Sequence, residues 1–318
     1  MSRRVRIAVL VVLAALACGA PFVLSGFHIF QLTQIVVYAI ALLGLNLLTG
    51  FNGQISLGHG AFFAIGAYTT AILLDKAGLP YWATIPAAGG LCFAVGFLFG
   101  LPALRLEGPY LALATFALAV TTPQLLKLDA LSGWTGGVQG IVVVKPDSPG
   151  VVDADQWLYF VSLGLAAALY LAAWNLLRGR TGRAMMAIRD HPVAAGTMGI
   201  DTAMVKTLSF GVSAMYTGVA GALGALLAGY VSPDSFSFLV SINFVVGMVI
   251  GGLASVGGMV FGAAFITLIP NLVDQISPAA PWAIYGALLI AFMIVMPTGV
   301  AGFVRATADR VRRRRRRP

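Results

Sequence analysis

Ten apolar segments of about twenty residues, separated by short polar turns, constrain the fold of this chain more than any other feature. A helix needs about 20 mostly apolar residues to cross the hydrocarbon core of a bilayer, where unpaired backbone groups find no water. Only 10% of the 318 residues are charged, against about 25% in a soluble domain. The sequence therefore predicts an all-α integral membrane protein with about 8–10 transmembrane helices. The segments cover roughly residues 5–25, 29–49, 58–75, 82–103, 109–127, 157–177, 207–230, 239–256, 258–276 and 282–303.

Three of these segments, the third, eighth and ninth, are short and interrupted by glycine. Helices can break inside a membrane where the irregular backbone is buried in protein or lines a cavity. We therefore expect one or two of the three to be re-entrant or half-helices.

The basic residues lie mostly on one side of the membrane. With ten spans and an internal N-terminus, all but three of the 20 Lys and Arg residues fall inside; the exceptions are Lys76, Lys127 and Lys145. Cytoplasmic loops carry the excess of basic residues, so both termini are predicted to be cytoplasmic. The largest external piece, 128–156, is interpreted as a small lid or a docking surface.

Two domains are predicted: a transmembrane domain at 1–304 and a basic cytoplasmic tail at 305–318. Six consecutive arginines in the tail are typical of an anchor on anionic lipid. Binding of nucleic acid is disfavoured, because no basic folded domain accompanies the tail. The basic, apolar N-terminus resembles a signal peptide, but an uncleaved first helix is favoured because further spans follow at once.

The loop 178–206 is long, carries five basic residues and has helical spacing. Arg183, Ala187 and Asp190 recur at that spacing, and Pro192 suits the first position of a helix. Small residues follow at Ala194, Ala195, Gly196 and Gly199. A short helix along the membrane at this point is what a transport subunit needs to receive force from a cytoplasmic motor; the alternative is an ordinary basic loop.

Several function classes are disfavoured by what the sequence lacks. No acidic residue lies in the middle of a span, whereas carriers driven by protons or sodium usually need one. None of the four lysines follows a glycine, so there is no phosphate-binding loop of the Walker A type. The three histidines are scattered, which disfavours an enzyme, and neither a catalytic residue nor a metal site is expected.

Polar and glycine residues are interleaved between the second and third segments, at 50–68. Asn52, Gln54, Ser56 and His59 lie there and either line a path or satisfy a broken helix; tight packing with an interfacial turn is the alternative. The segment 251–262 has a similar character, and Ser255-Val-Gly-Gly echoes Ser56-Leu-Gly-His. Such an echo is what an internally duplicated transporter shows; the alternative is a chance likeness, because glycine-rich membrane helices often look alike.

Five stretches resemble the membrane-spanning permease subunits of branched-chain amino acid ABC importers, the LivM type more than the LivH type. They are LTGFNGQISLGHGAFFAIGAY (48–68), LRLEGPYLALATFALA (104–119), LSGWTGGVQGI (131–141), GRTGRAMMAIRDHPVAAGTMGID (179–201) and GGLASVGGMVFGAAF (251–265). They occur in the family's order and extend over most of the chain.

The resemblance implies an importer of branched-chain or other hydrophobic amino acids in a bacterial inner membrane. It implies a second, LivH-type permease, two ATPases that bind ATP and magnesium, and an extracytoplasmic substrate-binding protein, with no cofactor on this chain. The same family resemblance covers urea and short-chain amides, and a secondary carrier or channel that works without ATP is a separate alternative.

Two sets of site residues follow. The segment that docks on an ATPase comprises Arg183, Ala187, Arg189, Asp190, Pro192, Ala194, Ala195, Gly196, Gly199 and Asp201. With no charged residue in mid-span, the candidates for the substrate pathway are polar residues near helix ends, namely Asn46, Asn52, Gln54, Ser56, His59, Asn243 and Ser255.

Overall fold

The computed structural model describes residues 17–106, 108–148, 150, 152–276 and 281–303. These residues form a bundle of helices with one very short sheet, which confirms the predicted all-α membrane fold. The helices are α1 (Gly26–Asn46), α2 (His59–Asp75), α3 (Tyr81–Ala103), α4 (Pro109–Leu126), α5 (Asp129–Thr135), α6 (Ala154–Arg178), α7 (Arg180–Asp190), α8 (Pro192–Thr197), α9 (Thr202–Ala228), α10 (Phe238–Gly251), α11 (Gly258–Ile276) and α12 (Pro281–Val295).

Helices coincide with nine of the ten predicted segments. In the described part of the chain, seven helical stretches are long and apolar enough to cross a membrane, and the apolar part of α11 is shorter. The helix α2 has 17 residues. The first predicted segment, 5–25, and the basic tail lie largely or wholly outside the described residues.

The centre of the bundle is built from α1, α2 and α9. The most apolar stretch of α9 is 83% buried, whereas that of the last span is 6% buried, so α9 is surrounded by protein and the last span is left for lipid or a partner. Glycine allows α2 and α9 to cross closely, because a Cβ at Gly66 would lie 2.1 Å from the carbonyl oxygen of Gly218. Small residues serve the same purpose in membrane helix pairs generally.

The segment 128–156 folds over one end of the bundle, which we call the far end. It contributes α5 and the strand β1 (Ile141–Val142), which pairs antiparallel with β2 (Tyr230–Val231) after α9. Ion pairs lie near its two ends: Lys127, the residue before it, has its Nζ 2.5 Å from Asp234 Oδ1, and Lys145 Nζ lies 2.7 Å from Asp155 Oδ1 at the start of α6. Its role as a lid or docking surface stays a prediction.

At the opposite end, α7 and α8 join α6 to α9; we call residues 179–201 the connector. Helical spacing in this segment is confirmed, and Pro192 is the first residue of α8. The loop is shorter than predicted, because α6 continues through Arg178 and α9 begins at Thr202. Met185 and Ile188 of α7 are buried, so this amphipathic helix lies with one face against the bundle.

Candidate functional site

The first break, residues 52–58, separates α1 from α2. Between α1 and this break, Leu47–Phe51 form a π-helical turn, a geometry that is frequent at functional sites. The chain then turns back on itself: the amide of Gln54 donates to the carbonyl of Leu48 at 3.2 Å, and Thr49 Oγ1 donates to the carbonyl of Gln54 at 2.9 Å. Part of the backbone freed by the break is thus satisfied locally.

Side chains of other helices accept hydrogen bonds from further backbone amides near the first break. The amide of Leu57 donates to Thr115 Oγ1 of α4 at 2.9 Å, and the amide of Gly60 donates to Ser241 Oγ of α10 at 2.9 Å. These bonds attach the start of α2 to two helices that are distant in sequence.

His59 extends the attachment to α9 and α1. Its Nδ1 lies 3.0 Å from Ser56 Oγ, and its Nε2 lies 2.6 Å from Ser213 Oγ, which donates to the carbonyl of Gly44 at 2.6 Å. Because that serine proton is used on the carbonyl, Nε2 of His59 donates to Ser213, and Nδ1 is free to accept from Ser56. His59 thus links α1, α2 and α9 as a hydrogen-bonded structural residue.

The second break, residues 252–257, separates α10 from α11. The backbone here is unusual: Gly252 has φ 102° and Ala254 has φ 55°, a region that residues with a side chain rarely adopt. On either side of the break the backbones touch, since a Cβ at Gly258 would lie 2.1 Å from the carbonyl oxygen of Gly251. This break is therefore closed mainly by backbone contact between glycines.

Asn46 joins the two breaks. Its Nδ2 donates to the carbonyl of Ser255 at 3.1 Å, and its Oδ1 accepts from the amide of Ala254 at 2.9 Å. Each echoing serine accepts from a nearby amide, Ser56 from that of Gly58 two residues later and Ser255 from that of Gly258 three residues later, so the two bonds differ in spacing. The end of α1, which leads into the first break, is connected to the second break by the buried amide of Asn46.

The connector contacts the first break through Arg189. Its Nη1 donates to the carbonyl of Gly50 at 3.1 Å, while its Nη2 lies 2.9 Å from Asp190 Oδ1. The approach is close, because a Cβ at Gly53 would lie 2.8 Å from Arg189 Cγ. Among the described residues, no hydrogen bond or ion pair joins the connector to the second break.

Two cavities adjoin these elements. The connector cavity, of about 180 Å³, is lined by polar Asn52, Gln54, Arg189 and Lys206 and by apolar residues of α3, α4 and α7. The three-helix cavity, of about 210 Å³, lies between α1, α10 and α11. Its polar lining residues are Gln34, Tyr38, Asn243, Thr267 and Asn271.

The structure divides the seven predicted pathway residues into distinct groups. The side chains of four make the structural bonds described above, namely Asn46, Ser56, His59 and Ser255. Asn52 and Gln54 line the connector cavity, and Asn243 lines the three-helix cavity.

Sequence reasoning missed several polar residues that complete these sites. Ser213, Thr115 and Ser241 fasten the first break, and Gln34 and Thr267 line the three-helix cavity. A lone polar residue inside an apolar segment is the signal that would have pointed to them.

The predicted docking residues divide by exposure. Ala194, Gly196 and Gly199 are exposed, whereas Ala195 is buried, so the small-residue patch is narrower than the sequence suggested. Asp201 caps α9 by accepting from the amide of Met204 at 2.9 Å.

Two other predicted docking residues, Arg183 and Ala187, make hydrogen bonds within or next to the connector. Arg183 donates to the carbonyl of Arg178 at 3.1 Å, and the carbonyl of Ala187 accepts from the amide of His191 at 2.9 Å. Within the described residues, no group of three His, Cys, Asp or Glu side chains is placed to hold a metal ion.

The family model and the relatives that match this chain all point to the same protein family. Residues 28–297 match the family model described as "Branched-chain amino acid transport system / permease component". The chain is 32% identical to the high-affinity branched-chain amino acid transport system permease protein LivM of Escherichia coli K12, over 93% of this chain and 75% of the relative. It is 25% identical to LivH of the same organism, over 83% of this chain and 91% of the relative.

More distant proteins are also similar. The permease protein BraD of Pseudomonas aeruginosa is 22% identical over 83% of this chain and 91% of the relative. Among solved structures, PsaBC from Streptococcus pneumoniae in complex with Fab aligns with a TM-score of 0.41 and 15% identity, covering 89% of this chain and 94% of that chain. A score this low supports no inference.

Proposed function

This chain belongs to the family of permease components of branched-chain amino acid transport systems, and we propose that it is a transmembrane subunit of an ATP-driven importer for branched-chain amino acids. The observation that carries the proposal is the 32% identity to LivM over 93% of the chain. The chain does not act as an enzyme; it forms one wall of a route through the membrane.

The energy source is proposed to be separate. The sequence has no Walker A motif, so ATP and magnesium bind to two partner ATPases. The relatives include permeases of both the LivM and LivH types, which supports a second, LivH-type permease as a partner. An extracytoplasmic binding protein delivers the substrate, the remaining surface faces lipid, and no nucleic acid is bound.

The proposed orientation places the connector in the cytoplasm. The connector carries Arg180, Arg183 and Arg189, while the described basic residues at the far end are Lys76, Lys127 and Lys145. Charge bias of this kind orients proteins of the bacterial inner membrane. Both termini are then cytoplasmic, although neither falls among the described residues.

The exposed side of α8 is the proposed docking surface for an ATPase. Val193 is 77% exposed and Met198 is 82% exposed, and no atom lies within 4 Å of a Cβ built on Gly196. Exposed apolar residues beside small ones provide a surface onto which a partner can close. When a docked ATPase moves α8, Arg189 on the preceding helix passes that movement to Gly50 and thus to the first break.

The three-helix cavity is the proposed substrate route. Its walls combine polar side chains with the apolar Val240, Phe244 and Ile266, and the buried hydroxyl of Thr267 has no hydrogen-bond partner among the described residues. A hydrophobic amino acid needs such walls for its side chain and polar atoms for its charged ends. Asn243 and Gln34 are the residues proposed to contact it.

Gentle purification from the native membrane tests the assignment. Mass spectrometry of the tagged chain is expected to find a second permease and two ATPases, and vesicles containing the complex are expected to take up leucine only with ATP. Replacement of residues 183–201 by a glycine-serine segment should release the ATPases. If the chain purifies alone and transports without ATP, it is a secondary carrier or channel and not an ATP-driven importer. If the complex takes up urea in preference to leucine, the proposed substrate is wrong.

A further inference from the structure

The connector cavity combines three kinds of chemistry in one small space. Two cations line it, the Arg189 guanidinium and the Lys206 ammonium, together with two amides, Asn52 and Gln54. Apolar side chains such as Leu111 and Ile188 supply the remaining wall. None of the lining residues that the structure describes is acidic.

Arg189 already donates to the carbonyl of Gly50 and pairs with Asp190, but the other polar side chains of this cavity have no partner among the described residues. Asn52 is 2% exposed, yet neither polar atom of its amide has a hydrogen-bond partner, and the same holds for Oε1 of Gln54. Lys206 is half-buried and makes no ion pair or hydrogen bond among the described residues. Leaving buried polar groups unpaired is costly, so this arrangement is suited to a ligand that pairs them.

The chemistry specifies a zwitterion rather than a simple anion. A carboxylate is attracted by Arg189 and Lys206 and accepts from Nδ2 of Asn52. A simple anion would leave the carbonyl oxygens of Asn52 and Gln54 unpaired, whereas an ammonium group donates to both. The apolar wall then suits an aliphatic side chain.

The size of the cavity agrees with this ligand class. A volume of about 180 Å³ is many times the ~10–15 Å³ of cavity volume that one water molecule needs. That is room for a small molecule such as a single amino acid.

We propose that the connector cavity is a second amino acid site, which binds a hydrophobic α-amino acid on the connector side of the membrane, apart from the three-helix cavity. The substrate class and the cytoplasmic side rest on the proposed function. Since Arg189 both lines the cavity and holds Gly50, the bound carboxylate draws on the same side chain that joins the connector to the first break. The site thus lies where the transported molecule is released.

Thiol protection tests this site locally. Ile55 lines the cavity and is 46% exposed, so Ile55→Cys in the purified complex, with exposed Cys18 changed to serine, provides a reporter. Without the binding protein, leucine is expected to slow its reaction with a maleimide at least tenfold. The analogues 4-methylpentanoate, which lacks the ammonium, and 3-methylbutylamine, which lacks the carboxylate, are expected to protect much less.

Two further changes in the reporter background identify the groups responsible. Lys206→Gln and Asn52→Leu should each abolish protection, and Lys76→Gln, an exposed lysine at the far end, should leave it intact. Because Asn52→Leu removes an unpaired buried amide, it should raise the melting temperature of the ligand-free complex, and this separates a lost site from a damaged fold.

The outcomes are decisive in both directions. Protection by leucine but not by the two analogues, lost in both Lys206→Gln and Asn52→Leu, supports the site. Equal protection by 4-methylpentanoate, or protection unchanged in Lys206→Gln and Asn52→Leu, overturns it. ATP-driven leucine uptake by the same complex is measured in parallel: uptake without protection refutes the site alone, while the absence of ATP-driven uptake refutes the proposed function.

Discussion

The first break and the second break both interrupt pairs of membrane helices, but side chains from α4, α9 and α10 fasten the first, whereas backbone contact between glycines and the single side chain of Asn46 close the second. Side-chain hydrogen bonds can be exchanged when helices move, because hydroxyl groups rotate to other partners. Glycine backbones in contact leave no such freedom. The first break therefore has the properties of a movable joint, and the second those of a fixed bend.

The connector reinforces the difference. Arg189 bonds the carbonyl of Gly50 beside the first break, while Asn46 is the side chain that links the first half of the chain to the second break. Displacement of the connector should thus reach the first break directly, and the second through Asn46 and through the packing of Gly50 against Ala254.

The largest effect on stability is expected where backbones touch beside the second break. A Cβ at Gly262 would lie 1.9 Å from the carbonyl oxygen of Gly247, so Gly262→Val must separate α10 from α11 and should abolish the monodisperse peak in size-exclusion chromatography. The matched control is Gly164→Val, because nothing lies within 4 Å of a Cβ at that exposed position. A normal yield of Gly262→Val would show that the second break is not closed by glycine contact.

Removal of the amide that joins the breaks should have the next largest effect. Asn46→Leu leaves the half-buried amide of Ala254 and the buried carbonyl of Ser255 without their hydrogen-bond partner, which should lower the free energy of unfolding by about 2 kcal/mol. Thermal unfolding in detergent measures the change against Asn175→Leu, an exposed position on α6. If the two variants unfold alike, Asn46 does not hold the breaks together.

A smaller loss is expected at the first break. Ser213→Ala removes the hydroxyl between His59 and the carbonyl of Gly44 and should cost about 1 kcal/mol, the usual net value of a single hydrogen bond. Ser209→Ala is the control on the same helix, since Ser209 Oγ donates only to Val205 one turn earlier. Equal melting temperatures of the two variants would mean that the His59 link is dispensable.

The smallest effect on stability, with a large effect on assembly, is expected at the connector. Gly196→Glu has space for its side chain, so the fold should survive, but a buried charge opposes docking of an ATPase. Co-purification of the ATPases should fall at least tenfold. Gly133→Glu makes the same change at an open position on α5 at the far end and should have no effect; ATPase retention by Gly196→Glu would place docking elsewhere.

The sequence predicted the parts of this architecture that depend on composition and period. Apolar segments of bilayer length located the helices, and Pro192 marked the start of α8, because both signals are local. Pairing between distant segments has no such signal: nothing near Asn46 in the sequence reveals a bond to Ser255, and Ser213 reads as one small residue in an apolar helix. Ala195 shows the same limit, since only the packing of α8 determines which of its small residues face outward.

The accessibility of cysteines at the two breaks shows whether the first break moves while the second stays fixed. Ile55→Cys and Leu253→Cys, at positions 46% and 55% exposed, are each introduced into the complete transporter with Cys18 changed to serine, and the rate of reaction with a charged thiol reagent is measured with and without ATP. We expect ATP to change the rate at Ile55→Cys severalfold and to leave the rate at Leu253→Cys constant, and we expect Arg189→Gln to remove the change at Ile55→Cys. Equal changes at both positions, or a change at Leu253→Cys alone, would contradict a movable first break and a fixed second one.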